Sequence, residues 1–201
     1  MSHDIRTRLE DGVLTITFDR LGRKNAITGA MYEAVAAALS GAEDDRAVRA
    51  AVLEGHESVF TAGNDLGDFL KTSGEGEPPA YAFMRALARF PKPLIAAVCG
   101  PAIGIGTTML LHCDLVYAGD NAVFSMPFVD LGLCPEAASS LLVPRVFGHQ
   151  RAAAALLLAE PLDARAALEA GLVNKVLPVS EVNAFAQQQA RKAASKPLSS
   201  L

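Results

Sequence analysis

One carboxylate in an apolar setting is the first residue of this sequence whose type and position could do chemistry. Glu136 follows Cys134 and Pro135 within a segment of apolar and small residues, 131–140. Such surroundings raise the pKa of a carboxyl group toward neutrality, which a general base requires. The same glutamate would also suit the exposed first turn of a helix, where its charge complements the helix dipole. The residues by themselves leave both interpretations open.

Two glycine-containing turns are the next candidates, because turns of this kind direct backbone N–H groups at a ligand. The turn at residues 100–108 holds three glycines and a proline between a predicted strand and a predicted helix. In the turn at residues 60–66, the backbone N–H of Asn64 would be unpaired and face a cleft, whereas Asp65 would cap a helix. We therefore infer that a carbonyl oxygen binds over the turn at 100–108, with Glu136 at the carbon beside that carbonyl.

Other kinds of catalytic or cofactor site find little support. The glycine turn does not fit G-x-G-x-x-G, and no G-K-[ST] follows it, so neither a dinucleotide nor a Walker phosphate site is expected. The four histidines lack metal-ligand spacing, and no G-x-S-x-G elbow occurs. Asp114 is interpreted as a structural aspartate. We expect no metal and no separate cofactor.

Composition narrows the class of protein. The 201 residues are 51% hydrophobic, enough for one domain with a sizeable core, and the net charge of −4 carries no run of one sign. This argues against nucleic-acid and membrane partners. Cys99, Cys113 and Cys134 lie in apolar contexts without C-x-x-C spacing, so they are predicted to be buried reduced thiols, with a reactive thiol as the alternative. With no apolar signal region at the N-terminus, we expect a cytoplasmic location.

Turn signals and periodicity predict the elements that must position these groups. Asp11-Gly12 predicts a hairpin and Thr28 a helix N-cap, and residues 71–79 are predicted to be mobile. The predicted strands are 5–10, 13–18, 47–53, 94–98, 114–117, 122–126 and 173–176. The predicted helices are 29–43, 80–90, 105–112, 136–143, 150–159, 164–170 and 180–194, with a short one near Asp65. This alternation predicts an α/β fold.

Taken together, several segments resemble one family. These segments are residues 19–28, 60–66, 100–108, 112–114, 124–127 and 129–140. Their order and spacing are similar to those of the crotonase (enoyl-CoA hydratase/isomerase) superfamily, and the resemblance covers about residues 4–198. The resemblance implies a crotonase-like (ClpP/crotonase) spiral of ββα units. It implies one domain, 1–201, with a core at 1–145 and a helical C-terminal part, 146–201, shorter than usual in the family. It also implies an acyl-CoA thioester substrate, a role in fatty acid metabolism, and a homotrimer or hexamer.

The resemblance also implies roles for particular residues. The thioester oxygen would lie between the backbone N–H groups of Asn64 and Ile105, which stabilise the negative charge that forms there when the neighbouring carbon loses a proton. Coenzyme A, as part of the substrate, would lie across the loops at 22–26 and 62–66. Arg23 or Lys24 would contact the phosphates of coenzyme A, and the backbone near Ala26 and Ala62 would contact its adenine. Further implied substrate contacts are Gly63, Asp65, Leu66 and Gly104. Phe128 and Leu133 would form an apolar wall around Glu136.

The carboxylates of the family decide which reaction the resemblance favours. Hydratases carry two glutamates, at the positions of Thr108 and Phe128, and dienoyl-CoA isomerases pair an aspartate at position 136 with an acid at 128. The 3,2-enoyl-CoA isomerases use a single glutamate at the position of Glu136. A shift of 3-enoyl-CoA to 2-enoyl-CoA is therefore expected. The alternatives are a hydratase or another enolate-forming enzyme that uses Glu136 or Asp130, and an inert acyl-CoA-binding homologue.

Overall fold

The structure, a computed structural model, describes residues 3–69, 77–197 and 200. The predicted mobile segment 71–79 lies largely outside these residues. The strands are β1 Ile5–Glu10, β2 Val13–Phe18, β3 Ala50–Glu54, β4 Leu94–Val98, β5 Pro101–Ile103, β6 Leu115–Gly119, β7 Val123–Ser125, β8 Leu162–Asp163 and β9 Lys175–Leu177. The α-helices are α1 Gly29–Glu43, α2 Leu66–Phe69, α3 Pro79–Arg89, α4 Ile105–Thr108, α5 Ser139–Phe147, α6 His149–Leu157, α7 Ala164–Glu169 and α8 Val179–Ala194.

The described strands form two sheets. The larger has the order β1-β2-β3-β4-β6-β9 and is parallel except for the β1–β2 hairpin. In that hairpin Glu10 lies opposite Val13, and both turn residues, Asp11 and Gly12, have positive φ, as a two-residue turn of this type requires. The smaller sheet has the order β5-β7-β8. The α/β class and the predicted hairpin agree with this architecture.

Helices cover both faces of the larger sheet, so its central strands are buried on both sides. In β3, Ala51 and Leu53 face the main core, which includes residues of α1 and α3, whereas Ala50 and Val52 face α8. Alternate residues of a strand point to opposite faces, which explains this division. The apolar residues of β3 and β4 thus follow from their central place in the sheet.

Some predicted elements differ from the observed ones. The short strands β5 and β8 were not predicted, and the predicted helix at 105–112 is α4 continued by a 3-10 helix, Met109–His112. Most other boundaries shift by a few residues. The domain limits of 1–201, with the core at 1–145, stay a prediction. Among the described helices, none combines the length and hydropathy needed to cross a membrane.

A buried lysine ties the end of α1 to the start of β4. Lys92 is 8% exposed, and its ammonium group donates to the carbonyl oxygens of Ala42 at 2.6 Å, Asp45 at 2.7 Å and Val48 at 2.9 Å. Carbonyls at the end of a helix lack intrahelical donors, so a cation there satisfies them and complements the dipole.

Replacing Lys92 with methionine is expected to lower the free energy of unfolding by about 2–4 kcal/mol, because three carbonyls lose a charged donor and the bonds to two of them, Ala42 and Val48, are buried. Urea denaturation would measure the change. Lys192→Met, at an exposed position of α8, is the matched control and should shift stability by less than about 0.5 kcal/mol. A Lys92→Met protein as stable as this control would contradict the role given to the ammonium group.

Candidate active site

Asn64 presents its backbone N–H away from the loop that holds it. Ile27 donates its N–H to the Gly63 carbonyl at 2.8 Å, and its own carbonyl accepts from the Asp65 N–H at 2.9 Å. This parallel bridge uses the residues on either side of Asn64, so the N–H of Asn64 points the other way. Within the described residues it has no acceptor. It is therefore free to donate to a ligand.

Ile105 supplies a second free N–H at the start of α4. It is the first residue of that helix, after Gly104, whose carbonyl accepts from Thr107 and Thr108 at 2.9 and 3.0 Å. The first N–H groups of a helix have no partner in the preceding turn, and none is found for Ile105 in the part of the chain that the structure describes. The Ile105 side chain is fully buried, which fixes the peptide in place.

Two glycines allow these turns to meet. Gly63 has φ +86°, and a Cβ at this position would lie 2.9 Å from the Ile103 carbonyl oxygen. Gly104 has φ +56° and ψ −117°, a conformation that residues with a side chain rarely adopt. Between the turns lies a cavity of about 180 Å³ whose lining includes Asn64, Ile105 and Glu136. The two predicted N–H donors and the predicted base are thus brought to one cavity.

Glu136 carries a partly buried carboxylate. Its Oε1 atom is buried and accepts no hydrogen bond within the described residues. Burial raises the pKa of its carboxyl group from the ordinary 4.5 to about 7. Of the described residues that line this cavity and the larger one beside it, Glu136 is the one carboxylate. It is therefore set to exchange a proton near neutral pH.

The prediction that a helix begins near Glu136 is wrong, since α5 starts at Ser139. Ala137 and Ala138 have φ +52° and +55°, in the left-handed region that breaks a right-handed helix. His112 donates from Nε2 to the Ala137 carbonyl at 2.9 Å, and Ser139 donates to the Glu136 carbonyl through its N–H and its hydroxyl. These bonds hold a strained turn whose effect is to place Glu136 outside the helix.

A larger cavity of about 700 Å³ adjoins the first and shares Asn64, Phe128, Leu133 and Glu136 with it. One face of α3 contributes to its lining, through residues spaced as one side of a helix: Tyr81, Met84, Arg85 and Ala88. Sequence reasoning identified the helix but not this role, although the i, i+3, i+4, i+7 spacing of these residues was a visible signal. His112, predicted to be solvated or packed, also lines this cavity.

The predicted substrate contacts fall into two groups. Ala62, Gly63, Leu66, Gly104, Phe128 and Leu133 line the smaller cavity; Arg23, Lys24, Ala26 and Asp65 do not. The loops at 22–26 and 62–66 are nevertheless adjacent, because Ala62 donates its N–H to the Lys24 carbonyl at 2.9 Å. Arg23 and Lys24 are exposed. The roles given to all these residues stay predictions.

Phe128 and Leu133, the residues predicted to form an apolar wall around Glu136, line both cavities together with it. Phe128 is buried, at 6% exposure, but Leu133 is 42% exposed and lies at the rim. Asp130, the alternative base, is exposed and outside the lining of both cavities. Thr108 is fully buried, and within the described residues its hydroxyl has no partner. Thr108 and Phe128 thus leave both positions of the hydratase glutamates without an acid.

Asp65 and Asp114 are the two aspartates predicted to have structural roles. Asp65 makes the predicted helix-cap contact, since it accepts from the Asp68 N–H; it also accepts from Arg20 at 2.8 Å, and the Arg20 hydrogen bond lowers the pKa of its carboxyl. Asp114 accepts from the Leu94 N–H at 2.8 Å and is structural too.

The prediction that all three cysteines are buried is wrong. Cys99 is buried and Cys113 is partly buried, but Cys134 is exposed, because the segment before Glu136 runs along the rim of the larger cavity. Desolvation raises the pKa of the Cys99 thiol to about 11. The alternative of a reactive thiol stays open at Cys134.

Replacing Glu136 with glutamine is expected to stabilise the fold at about pH 8 by about 1–3 kcal/mol. Because the pKa is raised in the folded state, the folded chain binds this proton more tightly than the unfolded chain does. The resulting stability is present below pH 4.5 and is lost as the pH rises through about 7. Denaturation of both proteins at about pH 4 and pH 8 would measure the difference. Glu33→Gln, at an exposed position, is the matched control for the loss of one glutamate charge.

Comparison with known proteins places these features in context. The family model described as enoyl-CoA hydratase/isomerase matches residues 8–201. Enoyl-CoA delta isomerase 2 of Rattus norvegicus is 42% identical over 89% of this chain and 47% of its own length. Enoyl-CoA delta isomerase 3, peroxisomal, of Mus musculus is 39% identical over 89% of this chain and 58% of its own length. The chain thus spans about half the length of these curated relatives.

A solved structure and a relative named for a different reaction complete the comparison. The structure of Pseudomonas aeruginosa OdaA covers 99% of this chain and 81% of its own, at 47% identity and a TM-score of 0.95. The 2,3-dehydroadipyl-CoA hydratase of Escherichia coli is 35% identical over 90% of this chain and 72% of its own length. The predicted crotonase-like fold is confirmed. Because these relatives are named for different reactions, the choice among those reactions is argued from the geometry of the site.

Proposed function

The chain belongs to the enoyl-CoA hydratase/isomerase family, and we propose that it shifts the double bond of a 3-enoyl-CoA to give the conjugated 2-enoyl-CoA. The observation that carries this proposal is the single carboxylate, Glu136, in a cavity that also holds two free backbone N–H groups. An isomerisation consumes no water and can use one group as base and then as acid.

The proposed reaction begins with removal of a proton from C2 by the Glu136 carboxylate. The electrons of the broken C–H bond move into the thioester, and the oxygen of the resulting dienolate accepts hydrogen bonds from the Asn64 and Ile105 N–H groups. The protonated Glu136 then returns the proton to C4, and the electrons reform the thioester carbonyl and a double bond between C2 and C3. No atom is gained or lost.

Burial around Glu136 supports both proton transfers. At neutral pH, a carboxyl group with a pKa of about 7 is ionised in a substantial fraction of the molecules, so it can take the C2 proton. Its protonated form can then give that proton to C4. Phe128 lies in the wall shared by both cavities and limits access of water to the carboxylate. We place the acyl chain in the larger cavity, against Met84 and Ala88 of α3.

The test offers 3-enoyl-CoA and 2-enoyl-CoA separately and follows the products by NMR. The proposal expects the first to become conjugated and the second to gain no water. Formation of 3-hydroxyacyl-CoA from the second would identify a hydratase. No change in either, together with tight binding of the thioesters, would identify a binding protein.

A hydratase or another enolate-forming reaction is the second candidate, favoured by the 35% identity to a hydratase over 90% of the chain. The site argues against water addition, because neither of the two hydratase glutamates is present: their positions hold Thr108 and Phe128. An inert binding protein is the third candidate. The buried, unpartnered Oε1 of Glu136 argues against it, since burial of such a group costs stability without a structural return.

The pH dependence of kcat/KM should have an acid limb with its midpoint near the pKa of about 7 of Glu136 in the free protein. Activity should fall below this pH, because the base must be ionised to take the C2 proton. Initial rates at low substrate concentration between about pH 5 and 9 would measure the limb. A rate that stayed flat from pH 5 upward would contradict the assignment of Glu136 as the base.

We propose a homotrimer or hexamer, consistent with apolar side chains that are exposed in the single chain, among them Leu157 and Leu158, each 68% exposed, and Leu141, 52% exposed. Sedimentation equilibrium would measure the state, and a monomer would contradict it. The cytoplasmic location stays a prediction; one relative is named as peroxisomal.

A further inference from the structure

A buried tyrosine holds the side chain of Asn64. Tyr32 lies on α1 and is 4% exposed, and its ring packs on Phe83 at a centroid distance of 5.1 Å. Its hydroxyl donates to Oδ1 of Asn64. Within the described residues this is the one hydrogen bond of the Asn64 side chain. Burial and the nearby charge of Glu136 raise the pKa of Tyr32 well above its ordinary value, so the hydroxyl keeps its proton.

The hydrogen bond matters because of what an unrestrained asparagine does in a turn. Asparagine side chains bond to backbone N–H groups two or three residues along the chain, and asparagine tolerates the left-handed backbone conformation. At Asn64, a new side-chain hydrogen bond of this kind would place the side-chain amide in the cavity, and a left-handed backbone would rotate the peptide. Asn64 lines both cavities. Asp65 and α2 follow it directly, so the backbone N–H groups two and three residues along the chain lie close to its side chain.

We propose that Tyr32 is a positioning residue, whose hydroxyl ties down the Asn64 side chain and thereby keeps the Asn64 N–H directed at the oxygen of an enolate. This inference rests on the proposed function only in taking that N–H as an oxyanion donor. Tyr32 itself lines neither cavity and acts through Asn64.

Acetoacetyl-CoA, which binds an oxyanion site as its enolate, provides a probe that needs no turnover. The experiment measures enolate binding by near-ultraviolet absorbance and coenzyme A binding by calorimetry. The proteins are the unaltered chain, Tyr32→Phe, Asn64→Ala and the double variant. Tyr32→Phe keeps the ring against Phe83, and Asn64→Ala keeps the backbone N–H. Tyr117→Phe is the matched control, since it removes the hydroxyl of another buried tyrosine, on the α8 side of the sheet, where the ring packs on Phe185.

Tyr32→Phe should weaken enolate binding by about tenfold, and coenzyme A binding by less than about twofold. In the Asn64→Ala background the same substitution should change enolate binding by less than about twofold, because the tie is already lost. Tyr117→Phe should leave both affinities unchanged.

Three results would overturn the proposal. These are unchanged enolate binding in Tyr32→Phe, a loss equally large with and without the Asn64 side chain, and no enolate binding by the unaltered chain. The test stays separate from the proposed reaction. A protein that binds the enolate in the predicted pattern but leaves 3-enoyl-CoA unchanged would refute the isomerase and uphold the role of Tyr32.

Discussion

Glu136→Gln should lower kcat for the 3-enoyl-CoA shift by about 10³-fold while leaving the affinity for substrate within about threefold. The glutamine keeps the size of the side chain and its place in the cavity but can neither take nor return a proton. The loss should therefore appear in kcat, measured by the absorbance of the conjugated product. The greater stability expected for this variant at alkaline pH would show that it is folded.

Asp130→Asn is the matched control for this substitution, because Asp130 is an exposed acid in the 3-10 helix just before the Glu136 segment. It should keep kcat within about twofold. The opposite pattern, with Asp130→Asn inactive and Glu136→Gln active, would assign the base to Asp130. A Glu136→Gln protein with the rate of the unaltered chain would remove the basis of the proposed mechanism.

Ile105→Pro should lower kcat by about 10²- to 10³-fold, because proline has no N–H to donate to the dienolate oxygen. Proline is well accepted at the first position of a helix, and Ile105 is the first residue of α4. The preceding Gly104 has φ +56° and ψ −117°, outside the α region that proline disfavours in the residue before it. The backbone is thus suited to the substitution.

The comparison with Ile105→Ala separates the donor from the side chain. Both variants lose the packing of a fully buried side chain, but only the proline variant loses the N–H. The ratio of their kcat values therefore measures the loss of the donor together with the effect of the proline ring carbon that takes the place of the N–H. A ratio near one, with both proteins folded by circular dichroism, would show that the Ile105 N–H does not stabilise the transition state.

Sequence reasoning succeeded where a local signal decided the structure. The hairpin was predicted to the residue, because Asp11 and Gly12 both tolerate the positive φ that the turn needs. Helix α1 was predicted to the residue as well, because the Thr28 hydroxyl accepts from the Met31 N–H as an N-cap does. Strand β5 was missed because it begins with Pro101 inside a glycine-containing turn, and β8 because its two residues are defined as a strand by their partner rather than by their own composition.

The start of α5 was misplaced for a different reason. Alanine is the best helix former, so Ala137 and Ala138 indicated a helix that already included Glu136. In the structure both alanines have positive φ, which tertiary contacts such as the His112 bond maintain. Strain of this kind costs of order 1 kcal/mol for each residue and is typical of functional sites. The contribution of Tyr32 was hidden in the same way, because in sequence it belongs to the buried stripe of α1.

The most direct test of the account is to follow one proton. A 3-enoyl-CoA carrying deuterium at C2 is converted in ordinary water, and the product is analysed by NMR for deuterium at C4. If Glu136 is both base and acid in a cavity poor in water, deuterium should appear at C4 well above natural abundance. A product with only solvent hydrogen at C4, after loss of deuterium from C2, would show that the abstracted proton does not stay on Glu136 between the two steps, and would contradict direct transfer by one carboxylate shielded from water.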